Sequence, residues 1–259
     1  MKGLSFSIEK RDKGYILFTI TRNEKRNAIN YEVMEGLSEV IKLSTEPGIK
    51  ALVITGEGEK AFCSGGDLSV FHLLETQQDA YTMLSKMAEI LYSLLTLPIP
   101  TVALMNGIAV GGGCELAAAC DFRLAKKGIK AGFVQGNQAI TTGWGGGSIL
   151  TEKLPHSVAM KILMEADLYP AEFLSSVGFF DMVYEDDHIT ECEKFLEKFL
   201  SKDVSVLQSY KKLWIQKWKA SGLQKRIEEE VRNCSILWKS EAHLNYVKSF
   251  IHKKLAEKQ

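Results

Sequence analysis

The sequence has no excess charge of either sign. Its 259 residues include 32 lysines and arginines and 32 aspartates and glutamates, so the formal net charge is zero. Nucleic acids and anionic membrane surfaces attract proteins through an excess of lysine and arginine, because the attraction comes from their phosphates. The balance of charges therefore argues against a nucleic-acid partner and against attachment to a membrane surface.

Long apolar runs and cysteine pairs are also missing. Apolar runs such as Ala51–Thr55 are far shorter than the roughly 20 residues that cross a bilayer. The N-terminal stretch MKGLSFSIEKRDKG lacks the apolar core typical of a signal peptide. The five cysteines form no C-x-x-C pair, and no histidine lies at ligand spacing from a cysteine or an aspartate. We therefore expect a cytoplasmic protein with reduced thiols, no membrane span and no metal site.

Two motifs of other enzyme classes are absent or incomplete. The sequence contains no G-x-S-x-G turn, so a serine hydrolase with that turn is not expected. Gly56–Ala61 reads GEGEKA and fits the G-x-G-x-x-A pattern of dinucleotide-binding loops. That pattern requires a helix that begins at the glycines. Here Phe62, Cys63 and further glycines follow instead of a helical pattern. We interpret this segment as a surface turn.

Strand-like and helix-like patterns alternate along most of the chain. Short apolar runs indicate buried strands at Tyr15–Thr21, Ala51–Thr55 and Thr101–Met105. Between them, apolar residues recur at helical spacing in Tyr31–Thr45 and Gln77–Leu97. This alternation predicts an α/β protein.

The last part of the chain has a different character. From Ile189 onward only helical patterns occur, with lysine-rich faces and aromatic residues that include Trp214 and Trp218. We place a boundary near residue 200, which divides the chain into a core region, 1–200, and a helical region, 201–259. The aromatic residues of the second region are compatible with burial against another subunit or against the protein's own core.

Three glycines, Gly111–Gly113, stand between a predicted buried strand and an alanine-rich helix that continues to Ala119. The start of a helix leaves free N–H groups, with the positive end of the helix dipole behind them. Such a place stabilises negative charge on an oxygen atom. Glu115 lies in the first turn, where the helix dipole by itself favours a carboxylate and where a ligand would also be within reach.

A second glycine-rich turn, Ser64–Gly66, follows the strand at Ala51–Thr55 and lies within the sequence KAFCSGGDL. Two separate strands therefore each lead to a turn with exposed backbone N–H groups. An oxyanion hole built from two backbone donors requires such a pair of turns. The two turns together predict a site that stabilises an oxyanion.

These segments resemble the crotonase superfamily, also called the enoyl-CoA hydratase/isomerase superfamily. The resemblance rests on KAFCSGGDL, on NGIAVGGGCELAAACDFRLA, on the spacing to GWGGG at Gly143–Gly147 and on the early TRNEKRNAIN, and it covers nearly the whole chain. It implies a spiral of stacked ββα units followed by a helical C-terminal region that packs across a homotrimer interface, with hexamers formed by two trimers. It also implies an acyl-CoA thioester substrate and no separate cofactor.

The resemblance also implies roles for individual residues. The two backbone N–H donors of the oxyanion hole match Ser64 and Gly112, and the segment around the first donor would line the CoA pocket. Lys25 and Arg26 would lie near the phosphates of CoA, although a solvated turn explains them nearly as well. The predicted CoA-binding residues of the first turn are Ser64, Gly65, Gly66, Asp67 and Leu68.

The hydratases of this superfamily use two glutamates as acid and base. Glu115 matches the first, and the position of the second falls on Asn137. An amide cannot give or take a proton near neutral pH, so efficient hydration is not expected. Gln135 and Gln138 are amides as well, and a small shift of register does not restore a carboxylate.

Decarboxylation of a malonyl-type thioester suits a site with one carboxylate, because loss of CO2 forms the enolate directly and one proton donor completes the reaction. The run from Phe133 to Gly146, with Trp144, is similar to the ethylmalonyl-CoA decarboxylases of the superfamily. Trp144 would then line the substrate site, while a core or lid aromatic is equally compatible. Decarboxylation or isomerisation is therefore favoured over efficient hydration. The alternatives are ordinary enoyl-CoA hydration and a CoA-binding or scaffolding role without turnover.

Overall fold

The structure, a computed structural model, describes residues 4–74 and 76–256, with side chains to residue 249. Residues 1–3 and 75 of the predicted core region, and 257–259 of the predicted C-terminal region, lie outside the described residues. The strands are β1 (Phe6–Arg11), β2 (Tyr15–Ile20), β3 (Ala51–Gly56), β4 (Ala61–Cys63), β5 (Thr101–Met105), β6 (Ile108–Val110), β7 (Phe122–Lys126), β8 (Lys130–Gly132), β9 (Tyr169–Pro170) and β10 (Met182–Tyr184). The helices are α1 (Tyr31–Leu43), α2 (Leu68–Phe71), α3 (Gln77–Leu95), α4 (Gly112–Ala119), α5 (Gly146–Lys153), α6 (His156–Glu165), α7 (Ala171–Ser176), α8 (His188–Leu200), α9 (Val204–Ala220), α10 (Leu223–Trp238) and α11 (Glu241–Ala256).

The strands form two sheets, and successive strands from β3 to β8 alternate between them. The larger has the order β1-β2-β3-β5-β7-β10 and is parallel except for the β1–β2 pair. The smaller has the order β4-β6-β8-β9 and is parallel except for the β8–β9 pair. Strands β3, β5 and β7 belong to the larger sheet, and the strand after each belongs to the smaller one. Each such pair of strands therefore takes the chain through both sheets once, which makes one turn of a spiral. The α/β prediction and the predicted spiral of stacked ββα units are confirmed.

The larger sheet is covered on both faces, which explains its continuous apolar strands. On one face, Leu52 and Ile54 of β3 belong to the main core, which also contains the buried sides of α1 and α3. On the other face, Val53 packs in a second cluster with Leu196 of α8. Parallel sheets are usually buried in this way, so every residue of β3 is buried.

In the part of the chain beyond residue 200 that the structure describes, helices α9, α10 and α11 are joined by short turns, and they do not form a core of their own. Leu223, Ile227, Val231 and Cys234 are spaced along one side of α10 and belong to the main core. That side of α10 packs against α3 and α5. The predicted region 201–259 therefore contributes α10 to the same core as the spiral, and its role in oligomerisation stays a prediction.

Three features bear on the class of protein. Within the described residues, no helix is both long enough and apolar enough to cross a bilayer. All five cysteines are buried free thiols. No group of three histidine, cysteine or acidic side chains is placed to hold a metal ion in the part of the chain that the structure describes.

Candidate active site

A cavity of about 100 Å³ lies where the two glycine turns meet. The turn after β4 contributes Gly65 and Gly66, and the turn after β6 contributes Gly111 and Gly112. A Cβ atom added to Gly65 would lie 3.1 Å from the backbone nitrogen of Gly112, so the two turns are in direct contact. The sequence predicted that these turns act together, and the structure brings them to one cavity.

Glu115 lines this cavity from the first turn of α4 and is only 2% exposed. Its Oε2 atom accepts hydrogen bonds from the backbone N–H groups of Trp144 and Gly146, both at 2.9 Å. Its Oε1 atom accepts one from Nε2 of Gln135 at 2.8 Å and a longer one from the N–H of Gly143 at 3.4 Å. The loop before α5 therefore fixes the position of this carboxyl group.

The proton affinity of Glu115 is well above that of an exposed glutamate. Burial, which disfavours the charged form, is the main cause that raises the pKa of Glu115 to about 7, and the negative charge of Glu230 adds to it. The backbone N–H donors act in the opposite direction. At neutral pH the group is therefore present in both forms, as general acid–base catalysis requires.

The turn after β4 offers a different oxyanion donor from the one predicted. The N–H of Ser64 donates to the carbonyl oxygen of Arg26 at 3.1 Å, so the prediction of Ser64 as a donor is wrong. No described residue accepts a hydrogen bond from the N–H of Gly66, which lies two residues further along the same turn. Gly112 is the first residue of α4, where N–H groups have no partner within the helix. Gly66 and Gly112 are therefore the candidate donors.

Trp144 closes one side of the cavity and is 4% exposed. Its ring lies directly on the turn that contains Gly112, since a Cβ atom added to Gly112 would be 2.1 Å from Cζ3 of Trp144. A Cβ atom on Gly66 would be 3.5 Å from Cζ2 of the same ring. The structure places Trp144 against both candidate donors, and its own backbone N–H binds Glu115.

Asn137 does not reach the cavity, which contradicts its predicted position opposite Glu115. Its Nδ2 atom donates to the carbonyl oxygen of Ala166 at 2.6 Å, at the end of α6. Gln135 occupies the place next to Glu115 instead. Residues Val134–Gln138 form a 3₁₀ helix with about three residues per turn, so side chains two positions apart point in different directions. The residue that faces Glu115 is still an amide, as the sequence predicted, but it is a different one.

The other predicted CoA-binding residues are divided between the cavity and its surroundings. Leu68 lines the cavity, whereas Asp67 is 4% exposed and does not. The Asp67 carboxylate pairs with Arg22 at 2.7 Å and caps α2 by accepting a hydrogen bond from the N–H of Ser69, so its side-chain contacts are structural. Its predicted role in CoA binding stays a prediction.

Lys25 and Arg26 are exposed on a short 3₁₀ turn that contacts Ser64. They therefore lie beside the first glycine turn without entering the cavity. Their predicted role at the CoA phosphates stays a prediction.

Residues of α10 in this site were not found from the sequence. Cys234 and Trp238 line the cavity. Glu230 binds the start of α5, accepting the N–H groups of Gly147 at 3.1 Å and Ser148 at 2.7 Å. The apolar spacing of the helix predicts a buried side, but it carries no information about which part of the core that side contacts.

Comparisons with known proteins agree with this geometry. The family profile described as enoyl-CoA hydratase/isomerase matches residues 10–257. The ethylmalonyl-CoA decarboxylase of Rattus norvegicus is 31% identical over 254 residues, which cover 95% of this chain and 83% of the rat protein. The protein of the same name from Xenopus tropicalis is 31% identical over 234 residues, covering 89% of this chain and 76% of that protein.

Solved structures show the same fold. The enoyl-CoA hydratase of Bacillus halodurans superposes with a TM-score of 0.86 at 23% identity, covering 95% of this chain and 99% of that one. An enoyl-CoA hydratase from Mycobacterium avium subsp. paratuberculosis has a TM-score of 0.84 at 22% identity, covering 96% and 99%. The chain belongs to the enoyl-CoA hydratase/isomerase family, and the resemblance to the crotonase superfamily and its decarboxylase-like members is confirmed.

Proposed function

We propose that this protein is a decarboxylase of short malonyl-type acyl-CoA thioesters. One observation carries the proposal. Among the described residues that line the cavity, Glu115 is the only carboxylate, and it accepts a hydrogen bond from the side-chain amide of Gln135. A single group that exchanges a proton suits decarboxylation, whereas adding water to a double bond requires both a base and an acid. The ethylmalonyl-CoA decarboxylases among the relatives support the same reaction class.

The proposed reaction uses the two glycine turns and Glu115 in sequence. The bond between the α-carbon and the carboxylate breaks, CO2 leaves, and the electron pair forms an enolate of the thioester. The N–H groups of Gly66 and Gly112 stabilise the charge on its oxygen atom. Protonated Glu115 then gives its proton to the α-carbon, and the resulting carboxylate takes a proton from solvent before the next cycle.

The walls of the cavity support loss of a carboxylate. Phe71, Leu84, Ile140 and Trp144 form apolar parts of the lining, and no lysine or arginine lines the cavity among the described residues. An ionised carboxylate is costly in such surroundings, while neutral CO2 is not. The volume of about 100 Å³ suits a short acyl group.

The test is a comparison of substrates with the purified protein. Malonyl-, methylmalonyl- and ethylmalonyl-CoA are incubated alongside crotonyl-CoA and a 3-enoyl-CoA, and the products are followed by mass and by chromatography. We expect loss of CO2 from at least one α-carboxyacyl-CoA and little addition of water to crotonyl-CoA. Rapid hydration without CO2 release would replace the proposal with a hydratase, and a shifted double bond without a change of mass would indicate an isomerase.

We also propose that the protein forms a homotrimer or a hexamer. Val206, Tyr210, Leu213 and Trp214 are exposed on α9, at spacings that place them near one another on the helix surface. An exposed apolar patch of this kind is typical of a protein interface. Light scattering at micromolar concentration should give the mass of a trimer or hexamer, and a monomer would contradict the proposal. Cytoplasmic localisation and the absence of a nucleic-acid partner stay predictions.

A further inference from the structure

Two carboxylates from distant parts of the chain bind the start of the same helix, α5. The N–H of Gly146 donates to Glu115 at 2.9 Å. The next two N–H groups, of Gly147 and Ser148, donate to the two carboxylate oxygens of Glu230 at 3.1 and 2.7 Å. Since the first N–H groups of a helix have no partner within it, these two side chains complete the hydrogen bonding of the helix start. Glu115 belongs to α4 in the spiral, whereas Glu230 belongs to α10.

We infer that Glu230 is a positioning residue for the reaction, which fixes the loop that holds Glu115 and whose negative charge favours the protonated, proton-donating form of Glu115. This inference rests on the proposed function, in which Glu115 is the general acid. It assigns a role in catalysis to α10, through a residue that does not line the cavity.

The geometry explains why the proton goes to Glu115. Glu230 is partly exposed and accepts hydrogen bonds from two N–H groups at the start of α5. Glu115 is buried, and burial disfavours its charged form relative to its protonated form. The negative charge of Glu230 at the same helix start disfavours a second negative charge on Glu115, so Glu115 binds a proton more readily. The raised pKa of Glu115, with Glu230 as its second cause after burial, agrees with this order.

Among the described residues, Glu230 is the charged side chain whose field acts on Glu115, and the other titratable groups nearby are neutral or have partners elsewhere. From α10, Cys234 also faces Glu115, but burial raises the pKa of this thiol to about 12, and it is neutral. Burial raises the pKa of Cys114, on α4 itself, in the same way. The two arginines of α10 have other partners: Arg226 pairs with Glu152 on α5, and Arg232 lies over the ring of Tyr81 on α3.

The first test compares Glu230→Gln with Glu229→Gln over a range of pH. Both variants remove one negative charge from α10, but the side chain of Glu229 is 61% exposed and forms only a loose pair with Lys225 at 4.0 Å. If protonated Glu115 is the acid, turnover falls as pH rises above its pKa, and removal of the Glu230 charge moves this fall to lower pH. We expect the rate of CO2 release by Glu230→Gln, relative to the wild type, to fall several-fold more at about pH 8 than at about pH 6. The rate of Glu229→Gln should equal that of the wild type at both pH values. An equal loss at every pH would show a merely structural role and overturn the inference.

The second test needs no substrate. The carboxyl band of Glu115 is identified in infrared difference spectra by its absence from Glu115→Gln, and its intensity is followed against pH. We expect the midpoint to move to lower pH in Glu230→Gln and to stay near the wild-type value in Glu230→Asp, which keeps the charge. An unchanged midpoint in Glu230→Gln would overturn the inference. Failure of the wild type to release CO2 would instead overturn the proposed function, and the titration would still decide the role of Glu230.

Discussion

Glu115→Gln should reduce CO2 release by about a hundred- to ten-thousand-fold, which is the usual effect of losing a general acid or base. The fold should survive, because the Oε1 atom of the new glutamine can accept the N–H groups of Trp144 and Gly146 that now bind Glu115. The Oε1 atom of Gln135 has no partner, so the Gln135 amide can turn and accept from the new NH2 group. Binding of the CoA ester should therefore largely survive.

The matched control is Asn137→Ala, at the position that the sequence predicted for the second acid or base. Asn137 binds the carbonyl oxygen of Ala166 and not the cavity, so its loss should cost about 1 kcal/mol of the free energy of unfolding and leave turnover nearly unchanged. Single-turnover kinetics and thermal denaturation of both variants measure these effects. Normal turnover in Glu115→Gln, with a large loss in Asn137→Ala, would reverse the assignment made from the structure.

Gly112→Ala should lower turnover by about a hundred- to a thousand-fold, comparable to the loss of one oxyanion donor. The added Cβ atom would lie 2.1 Å from the Trp144 ring, so either the ring or the start of α4 has to move. A shift of α4 displaces the N–H of Gly112 and the side chain of Glu115 together. The measurement is kcat for CO2 release, with circular dichroism to show that the variant is folded.

Combining Gly112→Ala with Trp144→Ala tests whether the clash with the Trp144 ring causes the loss of turnover. Trp144→Ala removes the ring, so adding Gly112→Ala to it should cost much less than in the wild type, because residues in contact have non-additive effects. An equal cost in both backgrounds would show that the clash with Trp144 is not the reason that glycine is required. Full activity of Gly112→Ala in the wild-type background would contradict the placement of the donor at Gly112.

The predictions that depend on local backbone properties were largely correct. Gly111–Gly113 followed by an alanine-rich helix is a local pattern, because glycines and a helix start fix where N–H groups are exposed. The structure accordingly places Gly112 and Glu115 at one cavity with Gly65 and Gly66. Short apolar runs likewise predicted buried strands, and every residue of β3 is buried.

The predictions that depend on the direction of a side chain or the partner of a donor were less successful. Asn137 and Gln135 are both amides in one short 3₁₀ turn, and packing against α6 and α4 decides which of them faces Glu115. Ser64 and Gly66 both have a backbone N–H, but the N–H of Ser64 already donates to the carbonyl oxygen of Arg26. Such choices depend on segments that are distant in sequence, and a local motif does not contain them.

The sequence by itself determined the α/β class and the two glycine turns with Glu115, because these depend on local patterns of apolar residues, glycine and charge. The spiral fold and the lack of a second carboxylate were implied by the resemblance to the superfamily. Only the tertiary structure decided that Gln135 is the amide beside Glu115 and that, among the residues described, none accepts the N–H of Gly66. It also placed Glu230 of α10 at the start of α5, next to the carboxyl group of Glu115. The physical reason is that burial and like-charge repulsion act through space, so the proton affinity of Glu115 depends on a residue that the sequence places far away.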